Sequence, residues 1–149
     1  MPTLRSAAVD LTRCDCLAAL DSVRTGRVSV VANGRGEIVE VQHRYDPQLG
    51  RIVFPVDVTT ARTCWYTWPW ASFEADGRDP DGTSWVVLVT GELLELEYRD
   101  DIERLSAAWP GGPMPDETTR WMSLSTDQVT GRRSAALRTD PLHTDGRAS

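Results

Sequence analysis

The strongest β-strand pattern in the chain is Ser84-Trp85-Val86-Val87-Leu88-Val89-Thr90-Gly91-Glu92-Leu93-Leu94-Glu95-Leu96-Glu97-Tyr98. Aromatic and β-branched residues dominate its first half, and these residue types favour strands. Gly91 interrupts the run, and a glycine inside a strand is typical of a bulge or a bend. The run therefore predicts the longest strand of the fold, with a change of direction at Gly91.

Shorter strand patterns lie on both sides of this run. They cover residues 27–32, 37–45, 51–56, 71–75, 120–124 and 129–135. Val39, Val41, His43 and Tyr45 alternate with polar residues in the second of them, which places these four side chains on one face. Short turns join the first three strands, and strands joined in this way pair antiparallel. We therefore expect an antiparallel meander, with Ile52, Phe54 and Val56 pointing inward.

Three segments have helical patterns. The first helix is expected over 6–24, with Asp10, Thr12 and Asp15 as candidate N-caps and Gly26 as its left-handed end. A short helix is expected over 61–66 before Pro69, and another begins at a capping Asp100 and carries Ile102, Leu105 and Trp109. About six strands flanked by helices indicate a mainly β fold, a small barrel or half-barrel with helices on its outside.

The composition is typical of one folded domain. The chain has 149 residues, of which 40% are hydrophobic and 26% charged. We expect one domain over 1–136 and a disordered tail over 137–149. The net charge of −6 argues against nucleic-acid binding, and no apolar run is long enough to span a membrane. Three cysteines without framework spacing, and no secretory signal, predict free thiols in a cytoplasmic protein.

Residue usage excludes several kinds of chemistry. All 16 cationic side chains are arginine, so a Schiff base and a lysine-dependent phosphate loop are impossible. Two histidines cannot form a three-histidine metal site, and Cys14 and Cys16 would point apart on a helix. Asp76, Asp79 and Asp81 lack the spacing of a calcium loop. We expect no metal site and no catalytic side chain of the hydrolase type.

Three features leave alternatives open. The aromatic cluster Trp65-Tyr66-Thr67-Trp68-Pro69-Trp70 is either a hydrophobic plug or subunit interface, or a wall that stacks on a flat ring. Thr59-Thr60-Ala61-Arg62 follows a strand and precedes a helix, which is either a helix cap or an anion site. His43 is either a buried structural histidine or a functional one, and its place among apolar residues favours the first interpretation.

Several of these segments resemble the pyridoxamine 5′-phosphate oxidase-like family of flavin-binding split barrels. The matching segments are Gly26-Arg27-Val28, the hairpin strand 37–46, Phe73-Glu74-x-Asp76, the run 84–92, Arg120-Trp121 and Val129-Thr130-Gly131-Arg132-Arg133. Their order and spacing extend over nearly the whole predicted domain. The resemblance implies a six-stranded antiparallel split β-barrel that forms a homodimer. It also implies one FMN in each of two clefts at the dimer interface, with a deazaflavin coenzyme or a haem-type ligand in some relatives.

The resemblance implies a set of cofactor-binding residues as well. The stretch from Phe54 to Thr60 would line the cofactor, with Thr60 on its phosphate. Relatives usually have a lysine next, whereas this chain has Ala61 and then Arg62, which would substitute for it. The complete set is Gln42, Phe54, Pro55, Val56, Thr59, Thr60, Arg62, Trp85, Trp121 and Arg132, the last two reaching the cofactor of the partner subunit.

Two functional hypotheses follow. The first is a homodimeric oxidoreductase that uses FMN or a deazaflavin to transfer hydride to or from a small organic substrate. The second is a non-catalytic binding module that kept the barrel and lost the flavin. The missing lysine and the crowded tryptophans between Trp65 and Trp70 motivate the second hypothesis.

Overall fold

The computed structural model describes residues 8–32, 34–65, 69–109, 111 and 118–135. This part of the chain contains nine strands and three helices. In chain order they are β1 (Val9–Asp10), α1 (Arg13–Asp21), β2 (Thr25–Ala32), β3 (Arg35–Gln42), β4 (Arg44–Asp46), β5 (Arg51–Asp57), α2 (Val58–Trp65), β6 (Trp70–Arg78), β7 (Ser84–Glu95), α3 (Arg99–Ala108), β8 (Thr119–Ser125) and β9 (Gln128–Ser134). The predicted tail over 137–149 lies outside the described residues.

The strands form an open antiparallel arrangement. Their order is β3-β2-β6-β7-β8-β5-β4, and β9 pairs with both β7 and β1. The two ends of this order, β3 and β4, do not pair with each other in the described structure, so the sheet does not close. The predicted mainly β, antiparallel split barrel with flanking helices is thus confirmed.

Strand β7 belongs to both halves of the barrel. Ser84–Thr90 pairs with β9, whereas Leu93–Glu95 pairs with β8, and Gly91 lies between the two segments. A Cβ at Gly91 would collide with the carbonyl oxygen of Ser125. The backbones of β7 and β8 therefore approach too closely at this point for any residue other than glycine. The position at which the sequence predicts a bulge or bend is thus the position at which β7 changes its pairing partner. Pairing with β6 continues through this point without an extra residue, so β7 has no bulge on that side.

Two apolar clusters fill the interior. The larger one lies between the sheet and α1, and its fully buried side chains include Leu20, Ile52, Phe54, Phe73, Val87, Val89, Met122 and Leu124. The smaller one packs α3 against β5 and β8 through Val53, Leu105, Trp109 and Trp121. Burial of both Ile52 and Phe54 confirms the inward face predicted for this strand, while Val56 is only partly buried.

The predicted meander is wrong in one respect. The strand expected over 37–45 ends at Gln42 and resumes at Arg44, because the backbone N–H of His43 bonds the carbonyl of Arg24 at 2.8 Å instead of continuing a ladder. Strand β3 pairs with β2, and β4 pairs with β5. The chain therefore makes two separate hairpins, and β3 and β5 remain unpaired with each other.

The helix boundaries also differ from the prediction. Helix α1 begins after Thr12, whose hydroxyl accepts from the N–H of Asp15 at 3.1 Å, because the preceding Val9–Asp10 is drawn into pairing with β9. The helix ends at Asp21, and Gly26 lies within β2, where a side chain would collide with the ring of Phe73. Asp100 lies in the first turn of α3 rather than at its cap, which is Tyr98.

Candidate functional site

The open side of the barrel forms a groove between β3 and β5, hereafter the slit. β3 ends the strand order, so one of its edges is unpaired among the described strands. In β5, Arg51–Val53 pairs with β4, but Phe54–Asp57 pairs with β8 alone. Two unpaired strand edges thus lie on either side of the slit. Such edges offer backbone N–H and C=O groups to a ligand.

The slit has a volume of about 510 Å³, which is within the range of small-molecule sites. It is lined by Val39, Glu40, Val41, Gln42, Pro55, Val56, Asp57, Thr60, Gly111 and Thr119. The aliphatic members suit a flat apolar ring. The amide of Gln42 offers both a donor and an acceptor.

The end of the slit at α2 is occupied by a carboxylate. The N–H of Thr60 donates to Oδ1 of Asp57 at 2.7 Å, and this bond, together with bonds from the Thr60 hydroxyl and the Thr59 N–H, lowers the pKa of Asp57. Asp57 therefore caps the helix start in the manner of an N-cap aspartate. Thr59 and Thr60 were the residues predicted to cap the helix or to hold an anion. In the structure their N–H groups already have a carboxylate partner.

The electrostatic character of the slit is acidic. Glu40 and Asp57 both line it, and no arginine does so among the described residues. Arg62 is exposed on α2 and lies outside the lining. A phosphate dianion placed in the slit would therefore meet negative charge without a guanidinium to balance it.

The structure brings together four of the ten residues predicted to bind a cofactor. Gln42, Pro55, Val56 and Thr60 line the slit. The side chain of Phe54 is in the core, and Thr59 is exposed on α2 with Arg62.

Three further predicted residues lie elsewhere. Trp85 and Arg132 line a second groove of about 410 Å³ on β6, β7 and β9, with Asp76, Arg78 and Ser84. Trp121 is 2% exposed and packs edge-to-face on Trp109, with ring centroids 5.0 Å apart. Trp121 is thus buried within the described chain, and its reach to the cofactor of a partner subunit stays a prediction.

His43 has the buried position that its apolar neighbours predicted. Its ring is 2% exposed, with Nε2 2.9 Å from the carbonyl of Leu20 and the ring edge-to-face with Phe73. Burial lowers the pKa of His43, which keeps the imidazole neutral. The described structure leaves its Nδ1 without a hydrogen-bond partner.

The other singled-out motifs give no further site. The cysteines are free, with Cys14 exposed and the other two buried, and burial raises the pKa of Cys64 to about 11. No group of His, Cys, Asp or Glu in the described ranges is arranged to hold a metal ion. Of the aromatic cluster, Tyr66, Thr67 and Trp68 lie outside the described residues, and Trp70 is half exposed at the start of β6. None of the described helices is long and apolar enough to cross a membrane.

The stretch from Phe54 to Thr60 that was expected to line the cofactor includes Asp57. Five other lining residues are absent from the predicted cofactor-binding set: Val39, Glu40, Val41, Gly111 and Thr119. For Asp57 a local signal was present, because an aspartate immediately before a helical segment is a strong N-cap. Glu40 and Thr119 had no such signal, since their position depends on which strand edges remain unpaired.

Comparison of the sequence with protein-family models and with curated proteins gives no match. Comparison of the structure with solved structures gives many matches. A protein from Corynebacterium glutamicum described as "Putative pyridoxamine 5'-phosphate oxidase" is 23% identical, with a TM-score of 0.71 over 85% of this chain and 97% of that one. The FAD-binding protein from Mycobacterium smegmatis is 20% identical, with a TM-score of 0.62 over 85% and 98%. An FAD-binding protein from Mesorhizobium loti is 17% identical, with a TM-score of 0.71 over 88% and 99%.

These likenesses agree with the resemblance inferred from the sequence. Each covers most of both chains, although the identities are low. The chain therefore has the split-barrel fold that these pyridoxamine 5′-phosphate oxidase-like and FAD-binding proteins have.

Proposed function

We propose that this protein is a homodimeric flavin-binding oxidoreductase that acts on a small organic substrate. The observation that carries the proposal is the slit between the unpaired edges of β3 and β5, where four of the predicted cofactor-binding residues meet. The split-barrel fold shared with FAD-binding proteins supports the same conclusion by analogy.

The slit residues suit the ring of a flavin or deazaflavin. The side chains of Val39, Val56 and Pro55 provide apolar contact for the faces of such a ring, and Gln42 provides an amide for its polar edge. The bound ring would supply hydride transfer, and the protein would supply position and a dry environment. Unpaired backbone groups of β3 and β5 would orient the ring. Neither described carboxylate of the slit is required as an acid or base.

The homodimer is part of the proposal. Ile38 and Leu88 project from one face of the sheet, 74% and 47% exposed, and border a shallow groove with Ser29, Ser72 and Arg27. Large apolar side chains grouped on an exposed face are typical of an interaction surface. Arg132 in the second groove is more than half exposed and is available to a partner subunit. Light scattering after size-exclusion chromatography should give twice the monomer mass, and a monomer would remove this part of the proposal.

A titration tests the cofactor. The purified protein should show a visible flavin spectrum or should bind added riboflavin, FMN or a deazaflavin. Gln42→Ala should weaken binding about fivefold or more, whereas Gln48→Ala, in the exposed β4–β5 turn, should leave it unchanged. Failure of every flavin and deazaflavin to bind more tightly than about 100 μM, roughly 5–6 kcal/mol, would refute the enzyme hypothesis.

The second candidate is a non-catalytic binding module on the same barrel. The acidic lining of the slit favours it, because Arg62 is missing from the described lining and the N–H of Thr60 already donates to Asp57. Quenching of tryptophan fluorescence by a haem-type ligand or a peptide, with no response to flavins or deazaflavins, would support the module. Within the first proposal, FMN is the predicted cofactor and a deazaflavin is the alternative. A cytoplasmic location also stays a prediction.

A further inference from the structure

We infer that the slit takes a flavin without a terminal phosphate, and that Asp57 is the residue that excludes the phosphorylated form. This inference rests on the proposed function, since it concerns the ligand of the same slit. It reverses the sequence-based expectation that Thr59, Thr60 and Arg62 hold a phosphate.

The N–H groups that could bind an anion at the start of α2 already have a partner. A helix start binds phosphate through N–H groups that have no partner within the helix. Here the N–H of Thr60 donates to Asp57 at 2.7 Å. The hydroxyl of Thr60 and the N–H of Thr59 donate to the same carboxylate. A phosphate could reach these donors only by displacing a side chain that is covalently held beside them.

The charge of the slit also opposes a phosphate. Asp57 is ionised at neutral pH because its pKa lies below the ordinary value, and Glu40 adds another carboxylate to the lining. Two negative groups that line the same groove repel a phosphate dianion placed in it. The chain has no lysine, and Arg62 is not among the described lining residues. Nothing in the described lining offsets the repulsion.

The uncharged residues of the slit suit the flavin ring even though its carboxylates oppose a phosphate. The slit is also lined by uncharged groups, which are the aliphatic side chains of Val39, Val41 and Val56 and the amide of Gln42. These groups can contact a neutral ring without electrostatic repulsion. The slit therefore distinguishes riboflavin from FMN at one end only. An uncharged flavin is the ligand class that its lining fits.

The test compares riboflavin with FMN on the full-length protein. Dissociation constants are measured by flavin fluorescence for the wild type, for Asp57→Asn and for Asp81→Asn. Asparagine retains helix capping while removing the charge. Asp81 is a matched control, because its carboxylate also accepts a local backbone N–H, from Thr83 at 2.8 Å, in an exposed turn away from the slit.

The expected result is that the wild type binds riboflavin at least as tightly as FMN. Asp57→Asn should tighten FMN about five- to tenfold and leave riboflavin within twofold, and the gain should shrink in high salt. Asp81→Asn should change neither. Glu40→Gln, at an exposed position of β3, should also lower the dissociation constant for FMN. It provides a second test of the charge effect if Asp57→Asn does not fold.

Two outcomes overturn the inference in distinguishable ways. Binding of both ligands by the wild type with FMN at least tenfold tighter, or weakening of FMN by Asp57→Asn, would place the phosphate at the α2 end and leave the flavin proposal standing. Absence of binding by either ligand would refute the proposed function, and the inference would fall with it.

Discussion

The guanidinium of Arg104 binds the carboxylate of Asp46 through two hydrogen bonds of 2.9 Å, one from each terminal nitrogen. Arg104 is on α3, and Asp46 is at the end of β4, where it also accepts from the N–H of Leu49 at 3.2 Å. The side chain of Asp46 is only 7% exposed. This bidentate pair therefore attaches α3 to the β4–β5 hairpin, which forms one side of the open barrel.

Loss of this pair should destabilise the protein. Arg104→Ala leaves a buried carboxylate without its cationic partner, and should lower the free energy of unfolding by about 1–3 kcal/mol. Arg99→Ala removes an exposed arginine from the first turn of the same helix and should cost less than about 0.5 kcal/mol. Urea denaturation measures both values. Equal effects of the two substitutions would show that the pair contributes nothing specific.

Stability should fall on mild acidification because of His43. Burial lowers the pKa of His43 from its ordinary 6.5, so the unfolded chain takes up this proton at higher pH than the folded one. Stability is then fully present above pH 6.5 and is lost as the pH falls toward the lower folded pKa. The pKa of Asp46 is lowered mainly by Arg104, so its contribution is lost only below its ordinary 3.8.

His43→Gln tests the contribution of His43 to the loss of stability below pH 6.5. Glutamine keeps an N–H donor for the carbonyl of Leu20 and cannot take up a proton in this range. Denaturant titrations between pH 7 and pH 5 should show a flatter pH dependence for the variant than for the wild type. The same slope in both proteins would mean that His43 is not the group responsible.

Gly91 should not tolerate a side chain. A methyl group there would collide with the backbone of Ser125, at the point where β7 leaves β9 and joins β8. Gly91→Ala should therefore cost about 3 kcal/mol or prevent folding. Gly36→Ala is the control, because a Cβ at Gly36 in exposed β3 meets nothing within 4 Å. A small loss of stability in Gly91→Ala would show that β7 and the end of β8 can move apart at this point.

Arg62 should be dispensable for ligand binding. It is exposed on α2 and does not line the slit. Arg62→Ala should leave the affinity for riboflavin and for FMN within twofold of the wild type. A tenfold loss for FMN alone, about 1.4 kcal/mol, would restore the role that the family resemblance implied for this arginine.

Local sequence patterns were sufficient for most strands. The runs 51–56 and 84–98 were recognisable from β-branched and aromatic residues. Gly91 marked an irregular position in the second run, and it lies where β7 changes its pairing partner. The family resemblance added the open barrel. These features depend on residues that are close in sequence or on a spacing shared with relatives.

The remaining features depend on long-range contacts. The break at His43 is set by its bond to Arg24, and the start of α1 is set by pairing of Val9–Asp10 with the far end of the chain. Trp121 faces inward because Trp109, at the C-cap of α3, packs against it. No local pattern reveals these partners, and the slit itself exists only where two strands fail to pair.

Amide chemical-shift mapping shows whether the slit between β3 and β5 holds the flavin ring. Riboflavin is added to ¹⁵N-labelled protein, and the shifts of all assigned N–H groups are followed. We expect the largest changes at Val39–Gln42, Val56, Asp57 and Thr60, all of which line the slit. Changes confined to Ser84, Val86 and Arg132 in the second groove, or no changes at saturating riboflavin, would contradict this expectation.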